Sequence, residues 1–274
     1  MKTTKMILGL ALAFTIWSCS KEDGENSTLS EAKINAKIDA IADDVSDIVE
    51  KEYYEAANLA GRNAQTQELA LPDCVTVTVT GDLSSWTRTL VFANCTMPNG
   101  NVLDGTIIIS GSTDFDAPTQ TINYSFVNFH HNNILVEGNR SMVRTLQSTA
   151  ALATIHPVAN VAFDMQLTFP NGNTYHRVGN RVREMIAGFN TPLLWLDNVF
   201  SITGSWTTTF PSGTRTSTIT TPLVAEATCP YLVSGVITVV GPNNTATLDY
   251  GNGDCDNQAT LTVNGTTTTI FLGN

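Results

Sequence analysis

Val75, Val77 and Val79 alternate with Thr76, Thr78 and Thr80, and this period of two returns in run after run to the C-terminus. Successive side chains of a strand point to opposite faces, so the pattern specifies strands that turn one face to a core. Residues 106–111, 120–129, 158–169, 175–185, 200–210, 214–221, 234–240 and 266–272 carry it. Turn formers stand between the runs: Gly81-Asp82, Pro98-Asn99-Gly100, Asp116-Ala117-Pro118, Pro170-Asn171-Gly172-Asn173, Pro211-Ser212-Gly213 and Pro242-Asn243-Asn244. Connections this short join antiparallel neighbours. The expected fold is mainly β, an antiparallel meander or β-sandwich of roughly a dozen strands over residues 70–274. No helical pattern separates the strands, which excludes a parallel α/β architecture. The run Thr191-Pro192-Leu193-Leu194-Trp195-Leu196 is apolar yet carries a proline, and is expected to bridge two related halves of the strand set.

One N-terminal amphipathic helix is expected ahead of the strands, over residues 30–58 and opening at Ser30-Glu31. Its apolar residues Ile34, Ile38, Ile41, Val45 and Ile48 recur in steps of four and three, with acids and Lys33, Lys37 and Lys51 elsewhere. The narrow stripe has two readings. It docks on the protein's own β domain, or it forms a coiled-coil seam for self-association through the helix, for which so few heptads are marginal.

The first residues set Lys2 and Lys5 before an apolar run of about a dozen residues, the layout of a secretory signal over residues 1–18. The run is shorter than the roughly 20 residues that span a bilayer. Its end, Ile16-Trp17-Ser18-Cys19, resembles the lipobox of bacterial lipoproteins, which implies cleavage before Cys19 and acylation of its thiol. Residues 19–29 then read as the acylated cysteine and a polar tether. Ser20-Lys21-Glu22-Asp23 resembles the acidic export signal of Bacteroidetes surface lipoproteins, which implies an outer-membrane location, lipid-anchored and facing out of the cell. The formal charge of −11 becomes −13 once Lys2 and Lys5 leave with the leader. So acidic a chain repels phosphate backbones, which argues against nucleic acid as a partner.

Four further cysteines, Cys74, Cys95, Cys229 and Cys255, are an even number in an exported chain. Cys74 and Cys95 flank a turn near Leu83-Ser84, and Cys229 and Cys255 flank Pro242-Asn243, so the expected disulfides are Cys74–Cys95 and Cys229–Cys255. A four-cysteine zinc site lacks the C-x₂-C spacing it needs. The two cysteine hairpins echo one another, Thr87 to Cys95 followed by Gly105 against Thr245 to Cys255 followed by Gly265. Together with the lipobox, these features resemble a family of uncharacterised Bacteroidetes lipoproteins. The resemblance implies no activity and transfers no catalytic residue.

Asp249, Asp254 and Asp256, with Asn252 and Asn257, are weak candidates for a hard-cation site, since Ca²⁺ takes six to eight oxygens from a flexible loop. The same residues suit a tight turn. His130 and His131 are adjacent on a strand and point to opposite faces; His156 and His176 stand alone. Asp114 and Asp116 fall at a turn, and no G-x-S-x-G elbow occurs, so no catalytic residues and no cofactor are assigned. Trp86, Trp195 and Trp206 with Tyr175 and Phe200 form either core or an aromatic platform for sugars. The leading expectation is a non-enzymatic binding or structural module that meets an extracellular glycan or protein; the alternative is a polysaccharide-active enzyme or carbohydrate-binding accessory.

Overall fold

The computed structural model describes residues 21–60, 71–191, 194–242 and 244–272, with residues 21–28 described by backbone alone. Cys19 and Ser20 lie outside the described residues. Helix α1 spans Lys21–Ala60, so it begins nine residues before Ser30 and takes in most of the segment that reads as a tether. Glu22, Asp23 and Glu25 fall within its first turns.

Thirteen strands follow in chain order: β1 (Val75–Gly81), β2 (Ser85–Thr96), β3 (Val102–Ser112), β4 (Thr119–His131), β5 (Ile134–Gln147), β6 (His156–Thr168), β7 (Thr174–Ala187), β8 (Val199–Phe210), β9 (Gly213–Glu226), β10 (Leu232–Val240), β11 (Thr245–Asn252), β12 (Gln258–Val263) and β13 (Thr266–Phe271). Each pairs antiparallel with the next, and all thirteen form one sheet in sequence order with β1 and β13 at its edges. The fold is therefore the single-sheet meander rather than the sandwich. A short 3₁₀ turn, Trp195–Asp197, lies in the connection between β7 and β8, which are paired neighbours, so the sheet runs on across the expected bridge.

The sheet bends at backbone positions that only glycine tolerates. Gly105 has φ +95° at a register shift between Asp104 and Thr106, and a Cβ there would sit 2.1 Å from the carbonyl oxygen of Asn128. Gly204, with φ +138° beside the shift between Ile202 and Ser205, would place a Cβ 2.4 Å from the Asn180 carbonyl. Bulges and glycine kinks of this kind curve a sheet.

The concave face encloses α1. Ile38, Val45 and Val49 are fully buried, so the apolar stripe is spent on the protein's own sheet. The polar residues of the helix are buried with it: Asp39, Glu50, Glu52 and Glu55 are each no more than 2% exposed. A helix hidden on nearly all sides needs partners for those charges. For Asp39, Glu50 and Glu52 they come from the strands, whereas the Glu55 carboxylate has no hydrogen-bond partner. Arg88 of β2, Arg177, Arg181 and Arg183 of β7 and Arg215 of β9 each form ion pairs with the helix, and Arg144 of β5 donates to the Tyr54 hydroxyl at 3.2 Å. The helix remains open along the line of Lys33, Lys37 and Ala40.

Candidate functional site

The ionic seam between α1 and β7 sets the geometry on which everything else rests. Asp39, Asp43, Asp47 and Glu50 recur every three to four residues and share one side of the helix. Opposite them, Arg177, Arg181 and Arg183 occupy alternate positions of β7 and share its concave face. Arg177 and Arg181 both donate to Asp39, and Arg181 also reaches Asp43 at 2.9 Å. Arg183 reaches Asp47 at 2.5 Å and Glu50 at 3.3 Å. Aromatic rings back the guanidinium groups: Arg181 lies 4.2 Å from the Trp206 ring centre and Arg183 lies 4.5 Å from that of Phe200.

Burial holds the carboxyls of Asp43, Asp47, Glu50 and Glu52 above the usual carboxylate range, against the pull of Arg181, Arg183 and Arg88. The native state therefore keeps these protons to higher pH than the unfolded chain does. Their contribution to stability is greatest below the unfolded values of about 4 and falls as pH rises through the raised ones. The lower net negative charge in mild acid acts in the same direction. Asp82 is the opposite case. Hydrogen bonds from the Ser84 and Ser85 backbone and hydroxyl groups hold its exposed carboxyl at about 2, so it is lost only in strong acid. The denaturation midpoint is expected to be higher at pH 5 than at pH 7.5; a lower midpoint at pH 5 would show that the seam carboxylates are ionised more readily in the fold than outside it.

Where the helix approaches the surface, it floors a cleft. Ala36, Ala40, Asp43, Asp44, Asp47 and Lys51 line the bottom. One wall is the β2–β3 turn and the β4–β5 turn, both tied to Asp44: its carboxylate accepts from Asn99 at 3.0 Å, Asn101 at 2.5 Å and His131 Nε2 at 2.8 Å. Asn132 locks the two turns together by donating to Asn101 at 2.6 Å and accepting from the Val102 backbone at 2.8 Å. Asn132 and Asn133 have φ +49° and +64°, the left-handed pair that a two-residue hairpin turn demands. The facing wall is the β9–β10 connection around Pro230 and Tyr231, together with Leu272 after β13.

Each wall is stapled. Cys74 is bonded to Cys95 in β2, and Cys229 in the β9–β10 connection is bonded to Cys255 in the β11–β12 connection. The pairing is the one the sequence predicts. The second link differs in setting, because it joins two loops at one end of the sheet rather than facing positions of the β10–β11 hairpin.

The cleft has two lobes that share Asp44, Tyr231 and Leu272, of about 370 and 780 Å³. The smaller is mainly apolar, with Met97, Leu103, Phe200 and Leu232 on its walls and the Lys51 ammonium 5.0 Å from the Trp195 ring centre. The larger is rich in amides, with Asn94, Asn133 and Asn257 besides the Asp44 network, and carries Phe271 at 69% exposure. Four buried polar atoms of residues lining these lobes have no hydrogen-bond partner: Trp195 Nε1, the Tyr250 hydroxyl, Asp43 Oδ2 and His131 Nδ1. Burial and the neighbouring Asp39 carboxylate push the Tyr250 phenol well above its ordinary range, so it carries its proton at any physiological pH.

The residues singled out from sequence fall into three groups. Asp249 stands in β11, paired with Val236 and Thr260, and accepts from the Gly251 backbone at 2.9 Å, while Asp254 and Asp256 lie in the β11–β12 connection, where Asp256 accepts from the Gln258 backbone at 2.8 Å. Among the described residues no three His, Cys, Asp or Glu side chains are grouped to hold a metal. His130 and His131 do face opposite ways; His131 is buried on Asp44, whereas His130 turns to the Asn128 carbonyl. The aromatic platform is overturned. Trp86, Trp195, Trp206, Tyr175 and Phe200 are all at most 6% exposed, because each falls on the face that packs against α1 or its neighbouring loops. The cleft itself escapes sequence reading, since its walls come from opposite ends of the chain. A scan against protein-family models and searches of curated proteins and of solved structures return no match.

Proposed function

We propose that the chain is an exported lipoprotein, acylated on Cys19, that holds a non-enzymatic binding module outward from the outer membrane at the cell surface, with the stapled cleft as its binding site. The observation that carries this reading is continuity. Helix α1 starts at Lys21, two residues after the lipobox cysteine, and the same helix forms the core that the sheet arginines grip. An acyl anchor there is attached to the centre of the domain rather than to a loose end. Two or three acyl chains, at about 0.8 kcal/mol per buried CH₂, hold a protein stably on a membrane. Among the described residues no helix is long and apolar enough to cross one.

Cys19→Ala is expected to move the protein from the membrane pellet to the soluble fraction with the β domain still folded. A folded variant that stays in the pellet after its leader is removed would overturn the anchor. Alanine at Lys21, Glu22 and Asp23 preserves helix propensity, so it tests the export address apart from the fold. Added protease should reach the parent on whole cells and reach this variant less; equal digestion would leave a lipoprotein facing the periplasm.

A further inference from the structure

We infer that the connections around the C-terminal end of α1 form a docking surface for a protein partner whose own surface is apolar and ringed by lysine or arginine. The helix fixes where this surface lies. Glu31 pairs with Arg215 of β9 at 2.8 Å, whereas Tyr53 and Tyr54 meet Phe115 of the β3–β4 connection and Trp195 of the β7–β8 connection. At about 1.5 Å per residue the two levels stand about 33 Å apart along the helix. With Cys19 as the anchor, the second level is the one turned away from the membrane. That orientation rests on the lipoprotein reading; the surface itself does not.

Four neighbouring connections build the surface. Thr113 donates its backbone N–H to the Ser84 carbonyl at 3.2 Å and its hydroxyl to the Leu83 carbonyl at 2.7 Å, which joins the β1–β2 and β3–β4 connections. The Leu146 N–H donates to the Pro118 carbonyl at 3.0 Å, and the His156 ring, where the β5–β6 connection enters β6, lies 5.9 Å from that of Phe189 in the β7–β8 connection. From these positions Leu83 is 102% exposed, Ile155 66%, Leu194 49% and Leu146 45%. Leu83 is the most informative. The Asp82 carboxylate accepts from the Ser84 and Ser85 N–H groups at 2.8 Å each, so the turn is held by its neighbours and asks nothing of the side chain at 83. A leucine there is presented rather than packed, on a backbone already fixed for binding. Exposed hydrophobics standing singly are ordinary, but several on adjoining connections mark an interaction surface.

Charge identifies the partner. The same connections carry Asp82, Asp114, Asp116 and Asp197, all exposed, and no lysine or arginine. An anionic lipid surface would be repelled, and a second copy would bring the same acids against these. A basic rim around an apolar centre answers both the aspartates and the leucines. An arc of four connections also suits the roughly 800 Å² that each partner gives to a protein interface, rather than a small-molecule pocket.

The test is calorimetric titration of the mature chain, in phosphatidylcholine nanodiscs where it is acylated and in buffer where it is not, with a short synthetic peptide of alternating leucine and lysine; empty nanodiscs are the blank. The peptide is expected to bind saturably, to bind less tightly as salt rises, and to lose about tenfold or more in affinity for the chain carrying Leu83→Ser and Ile155→Ser together. Both positions are exposed, so this double variant should melt as the parent does. Val240→Ser is the control: Val240 is 49% exposed beside Gly241, which lies against Arg215 at the other end of the domain, and its replacement should leave binding unchanged. Absence of binding, or binding that the double substitution does not weaken, overturns the inference, as does equal binding of a leucine–glutamate peptide. Phosphatidylglycerol vesicles and sedimentation of the chain alone test the other occupants. Vesicle binding or self-association that the double substitution abolishes would give the surface to a lipid or to a second copy and overturn the protein partner. Each of these outcomes leaves acylation of Cys19 untouched, which membrane fractionation judges separately.

Discussion

Arg183→Met is expected to lower the free energy of unfolding by roughly 3–5 kcal/mol at neutral pH, the cost of leaving buried carboxylates without their cation. Arg183 is 2% exposed and serves Asp47, Glu50 and, at 3.7 Å, Asp43. Methionine keeps much of the volume and the contact with Phe200, so the loss reports charge rather than a cavity. Urea titration measures it, with Val178→Ala as the control: Val178 stands on the same strand but is 40% exposed, and its replacement should change stability little. The loss in Arg183→Met should shrink at pH 5, where the seam carboxyls, already raised by burial, take up protons and need the guanidinium less. A loss below about 1 kcal/mol at neutral pH, the size of a surface pair, would mean that water reaches the seam and screens it.

Replacing Cys229 and Cys255 together by alanine should cost about 3 kcal/mol, because their link spans 26 residues whose freedom it removes from the unfolded chain. For a domain of this size that corresponds to a fall in melting temperature of roughly 5–10 °C. Calorimetry of the variant should give this shift, and reduction of the parent, which also opens Cys74–Cys95, a larger one. The sheet should persist, since β10 and β11 pair through their own backbone register and need no staple to find it. Far-UV circular dichroism of the variant at 25 °C should therefore match the parent. Loss of strand signal would show that the staple guides the pairing of the C-terminal strands, a role beyond loop closure.

The same contrast explains how much of the molecule is legible from its residues. Alternation and turn chemistry are local, so β1, β6 and β8 can be read directly from runs such as Val75-Thr76-Val77-Thr78. β7 is harder. Its arginines face inward while Val178 is exposed, the reverse of the usual arrangement. The reversal becomes intelligible only with the acids of α1 opposite. A charged side chain on a strand has no intrinsic preference for solvent over a buried partner of opposite charge. β5 carries the same disguise, with Arg140 and Arg144 buried on either side of Met142. The acids of the helix, spaced as they are, read equally well as a solvated face.

The choice between meander and sandwich, the place of the helix and the cleft all depend on contacts between residues far apart in the chain. Whether a run of hairpins folds back on itself or curls around a helix depends on where its bulges fall and on what fills the concave side, and no single hairpin carries that information. Residues 74–272 by themselves determined an antiparallel β domain and its two disulfides, because strand period, turn chemistry and hairpin closure act over a few residues. Only the tertiary structure decided that the helix lies inside the sheet with its acids paired, because pairing a buried charge requires two segments that the sequence keeps more than 130 residues apart.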